Sequence, residues 1–82
     1  MIVQLSPSCS LTTEHPACSY GQPVLVDQHG AVGPCDIIEP YPSWGLKPAW
    51  MHVERLAKVN AGKLNADQLA LVDKFVRLGN KQ

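Results

Sequence analysis

The sequence predicts an α+β fold, a small antiparallel β-hairpin sheet in the N-terminal half packed against a C-terminal two-helix hairpin. Three observations predict it. Val24-Leu25-Val26 is an aliphatic, β-prone run, and the Asp27-Gln28-His29-Gly30 that follows it has the composition of a hairpin turn. Residues 48–59 and 65–79 carry apolar side chains at helical spacing. Charge also divides the chain. Residues 1–46 hold Glu14, Asp27, Asp36 and Glu39 with no lysine or arginine, a formal charge of −4. Residues 47–82 hold all seven basic residues against Glu54, Asp67 and Asp73, a formal charge of +4.

The 82 residues are expected to make one small domain, with an acidic strand-and-loop half (1–46) and a basic helical half (47–82). A chain of this length buries only about 60–65% of its unfolded surface, so its core is modest. With 45% apolar residues and 17% charged ones, it has the composition of a folded chain and not of a disordered one. Apolar runs are only a few residues long, which excludes a membrane-spanning helix. Met1-Ile2-Val3-Gln4-Leu5 lacks the basic and long apolar regions of a signal peptide, so a cytoplasmic location is expected. The three cysteines, Cys9, Cys18 and Cys35, are an odd number and read as reduced thiols. The net charge of zero gives little colloidal repulsion and favours self-association.

In the acidic half, Ile2, Val3 and Leu5 suit a short strand ended by Pro7. Residues 6–19 are rich in Ser, Thr, Cys and Pro, the composition of a loop. The hairpin follows, with Pro23-Val24-Leu25-Val26 as its first strand and Ala31-Val32-Gly33 as a short return strand stopped by Pro34. Asp36-Ile37-Ile38-Glu39 fits either a further strand or one helical turn, and the two prolines of Glu39-Pro40-Tyr41-Pro42-Ser43-Trp44-Gly45 make an extended connector.

In the basic half, the first helix should run from about Pro48 to Val59. Proline suits its first turn, Leu46, Ala49, Trp50, Val53, Leu56 and Ala57 share a face, and Gly62 is the stop signal. Glu54 and Lys58 form a favourable i,i+4 pair. The second helix has an N-cap in Asn65, a capping box with Gln68, staple positions at Leu64 and Leu69, and Gly79 as its C′ residue. Leu69, Val72, Phe75 and Val76 form its apolar stripe, and Leu71 and Leu78 widen that stripe beyond the usual ~100° face. The excess is either covered by the hairpin or turned toward a second chain.

Cys9, His15, Cys18, His29 and Cys35 fall within 27 residues, and thiolates and imidazoles are zinc ligands. The spacing lacks a Cys-x2-Cys knuckle, so the expectation is no metal, with Cys9, His15, Cys18 and Cys35 as the alternative ligand set. His15 and Cys18 are the one local Cys–His pair, without an evident orienting group. The glycines read as turns and caps, with no phosphate-cradling loop, and Asp67 and Asp73 point to different helix faces. No cofactor and no enzymatic activity are expected.

Two consecutive helices also suggest a helix-turn-helix, with Lys47, Arg55, Lys58 and Lys63 as the basic contacts. Against this stand a connection longer than three or four residues and Asp67 at the start of the would-be recognition helix. The balanced charge also removes most of the electrostatic drive. Tyr41, Trp44 and Trp50 gather most of the aromatic residues around the join of the two halves. Trp50 belongs to the core, while Tyr41 and Trp44 suit surface anchors.

The expected function is therefore a non-catalytic protein-interaction module that self-associates, with Tyr41, Trp44, Leu71 and Leu78 as partner-binding residues. By analogy of economy, an accessory protein of a mobile element or phage fits. A nucleic-acid-associated regulator and a small zinc-stapled module are the alternatives. A protein partner, in the form of a homodimer, is expected, and a membrane is not.

Overall fold

The computed structural model describes residues 1–18, 21–34 and 48–81. Four strands come first, β1 (Ile2–Ser6), β2 (Cys9–Thr12), β3 (Val24–Asp27) and β4 (Gly30–Val32). Two helices follow, α1 (Ala49–Val59) and α2 (Ala66–Asn80), joined through a 3-10 turn at Ala61–Lys63. The strands form one antiparallel sheet in the order β1-β2-β3-β4. The α+β class and the C-terminal helical hairpin are as the sequence predicts.

Register explains the core. Val3 pairs with Leu11, Leu11 with Leu25, and Leu25 with Val32, so one aliphatic row crosses the whole sheet. Val3, Leu11 and Leu25 are fully buried. Gln4, Ser10, Val26 and Ala31 form the neighbouring row on the opposite face, as the period of two requires. The inner row meets Ala49, Val53 and Ala57 of α1 and Val72 and Phe75 of α2 in one cluster, with Trp50, Leu56, Leu64 and Leu71 packed against it. Each large side chain removed from water in this way contributes roughly 1.5–3 kcal/mol.

The reading of residues 6–19 as loop is corrected by β2. Pro7 and Ser8 form a tight turn, and Cys9-Ser10-Leu11-Thr12 returns antiparallel to β1. A bulge puts Leu5 and Ser6 together opposite Cys9, so Leu5 and Cys9 both reach the core despite the short turn. At the second hairpin the loop is Gln28-His29. Asp27 Oδ1 accepts a 2.7 Å hydrogen bond from the His29 N–H, and Gly30 takes φ 120°, a conformation that suits glycine.

Helix α1 starts after Pro48, whose carbonyl accepts from the N–H groups of Met51 and His52. It ends where the sequence predicts. Val59 is the last helical residue, Asn60 is the C-cap, and Gly62 lies inside the 3-10 turn. Helix α2 has the capping box in full, with Gln68 N–H donating to Asn65 Oδ1 at 2.9 Å and Asn65 N–H donating to Gln68 Oε1 at 3.0 Å. Gly79 is not a C′ residue, because α2 continues to Asn80. It is buried where the helix approaches Trp50 and Pro34 so closely that an added Cβ would lie 2.5 Å from Trp50 Cβ and 2.6 Å from the Pro34 carbonyl oxygen. Asp36–Glu39, whose strand or helical-turn character the sequence leaves open, lies outside the described residues. Among the described residues no helix is long and apolar enough to cross a membrane.

Candidate functional site

The helical hairpin has one face on the sheet and one face turned away from it. On α1 the buried positions are Ala49, Val53 and Ala57, and on α2 they are Val72, Phe75 and Gly79. Between the helices runs a groove of about 240 Å³, lined by Glu54, Ala57, Lys58 and Ala61 on one wall and Leu69, Val72, Asp73 and Val76 on the other. The walls differ in size. The α1 wall presents alanines, and the α2 wall presents Leu69 and Val76. Leu69 remains 41% exposed, so it forms a ridge on the groove rim and is not part of the buried stripe. Val59, at the end of α1, is 77% exposed.

Charge on the rim alternates. Lys58 Nζ lies 3.9 Å from Glu54 Oε1 on the α1 side, and Arg77 Nε lies 2.9 Å from Asp73 Oδ2 on the α2 side. All four side chains are largely in water, so neither pair adds much to stability. Glu54 and Lys58 thus stand on one wall of an apolar groove and Asp73 on the other.

The sequence-predicted partner residues fall elsewhere. Leu71 is half-buried and packs against the core cluster, and Leu78 is half-buried as well. The chain's own core thus takes up part of the excess width of the α2 stripe. Tyr41 and Trp44 lie outside the described residues. The groove itself went unread in the sequence, although its signal is there. Ala57 on α1 and Ala61 in the 3-10 turn just beyond it are four residues apart, while Leu69 and Val76 are seven apart and share one face of α2.

The remaining candidates are dispersed. Arg55, Lys58 and Lys63 are exposed, with Glu54 beside Lys58 and Asp73 across the groove, and Lys47 is outside the described residues. Cys9 is buried on the sheet opposite Asp27. Its thiol pKa is raised from 9.0 to about 11 by burial and then by the Asp27 carboxylate, against a lowering hydrogen bond from Ser6. Cys18 Sγ donates to the Thr12 carbonyl at 3.4 Å. His15 Nδ1 accepts the Ala17 N–H at 3.0 Å, so that ring nitrogen is engaged in its own turn and is not offered to the Cys18 thiol. Among the described residues no three His, Cys, Asp or Glu side chains are grouped to hold a metal ion, and Cys35 is not among those residues.

A second depression of about 440 Å³ lies between the end of β1 and the start of α2, lined by Gln4, Leu5, Ser6, Pro7, Asn60, Lys63, Leu64 and Gln68. Its polar groups are largely committed. Gln4 Nε2 donates to the Ser6 and Cys9 carbonyls, Asn60 Nδ2 to the Leu5 and Leu56 carbonyls, and Gln68 closes the α2 capping box. The apolar inter-helix groove is the better candidate, because burying it would remove unsatisfied surface from water. Compared with known proteins, the chain matches no family model, no curated protein and no solved structure.

Proposed function

We propose that the protein is a non-catalytic interaction module that binds a protein partner through the groove between α1 and α2. The observation that carries this reading is the groove's construction. Its floor and walls are apolar, its rim holds opposite charges, and Leu69 stands exposed on its edge at 41% of its full surface. That is the anatomy of a recognition surface, an apolar centre with a polar rim. The bed beneath it is firm. Val72 and Ala57 pass from the groove directly into the buried cluster around Phe75 and Val53, so a partner would meet a preformed surface.

The test is site-specific photo-crosslinking. A photoreactive residue at position 69 should capture a polypeptide in concentrated protein or in host extract. The same residue at position 74, exposed on another side of α2, should capture far less. Equal capture at both positions, or none at either, would remove the groove as the interaction surface.

A further inference from the structure

We draw no further inference here: the strongest candidate, the apolar groove between α1 and α2 with Glu54 and Lys58 on one wall and Asp73 on the other, carries nothing beyond the reading already given, because nothing in the structure shows what covers it.

Discussion

Asn60 Nδ2 donates to the Leu5 carbonyl at 2.9 Å and to the Leu56 carbonyl at 2.8 Å, so one side-chain amide ties the end of α1 to the bulge of β1. Its backbone also serves the connection, accepting from the Lys63 N–H at 2.8 Å. A bulge frees a carbonyl from the ladder, and a helix C-terminus leaves carbonyls without partners. Asn60 serves both, its side chain reaching the Leu5 carbonyl while its N–H and side chain both donate to the Leu56 carbonyl.

Asn60→Ala should therefore cost about 1–3 kcal/mol, since it takes the side-chain donor from the partly buried Leu5 carbonyl, while the Leu56 carbonyl keeps the Asn60 N–H at 3.1 Å. Asn60→Asp should do no better, because a carboxylate cannot donate to them. Chemical denaturation of the three proteins checks this. If the alanine variant matches the wild type within error, the amide does not join the two layers.

Gly79 gives a prediction whose sign separates two explanations. In an open helix position, replacing glycine with alanine stabilises by up to about 1 kcal/mol. At Gly79 the new methyl would collide with the Cβ of Trp50 and the backbone of Pro34, neither of which can swing aside as the end of a long side chain can. Gly79→Ala should destabilise by about 1–3 kcal/mol as the helices are pushed apart. Gly62→Ala, where no atom lies within 4 Å of the added carbon, should be near neutral. Thermal melts of both variants decide the matter, and a stabilised Gly79→Ala protein would show that α2 does not approach Trp50 this closely.

These residues also show where a sequence is readable and where it is not. Helix α2 was legible because its signals are local, the Asn65–Gln68 box and a stripe of period 3.6. The β3–β4 hairpin was legible for the same reason, through Asp27 and Gly30. Strand β2 was not, because Cys9-Ser10-Leu11-Thr12 has weak strand character by itself. It is a strand because Leu11 sits between Val3 and Leu25, and such pairings are non-local. Gly79 looks the same in sequence whether it caps a helix or lets one pass close to Trp50. Leu69 reads as a core residue by spacing, and only the path of α1 decides that it stands on a groove rim instead.

The Asn65 cap supports a separate prediction. Asn65→Ala should cost about 1 kcal/mol by leaving the Gln68 N–H without its 2.9 Å acceptor. Gln68→Ala should cost less, and the double variant should fall short of the sum, because the two bonds form one reciprocal box. Equilibrium unfolding of the set gives the coupling. Additive effects would mean that the two side chains act independently.

Cys9 gives the chain a pH dependence whose sign follows from its burial. The thiol titrates near 11 in the folded protein against 9.0 for the unperturbed group, chiefly because burial disfavours the thiolate and secondarily because Asp27 repels it. The folded state thus holds this proton more tightly than the unfolded chain does. Its contribution is complete below pH 9 and is lost progressively as pH rises toward 11. The difference is worth on the order of 3 kcal/mol. Lysines and tyrosines titrate in the same range, so the informative quantity is a difference between proteins. Wild type and Cys9→Ala should each be unfolded with denaturant at intervals from pH 8 to pH 11. The wild type should lose stability more steeply above pH 9, and the gap between the two curves should close as pH rises. Parallel curves would mean that Cys9 is not held as a buried thiol. Alkylation at pH 8, mapped by peptide mass, supplies an independent check. The half-buried Cys18 should be labelled well before Cys9, and the order should vanish in denaturant.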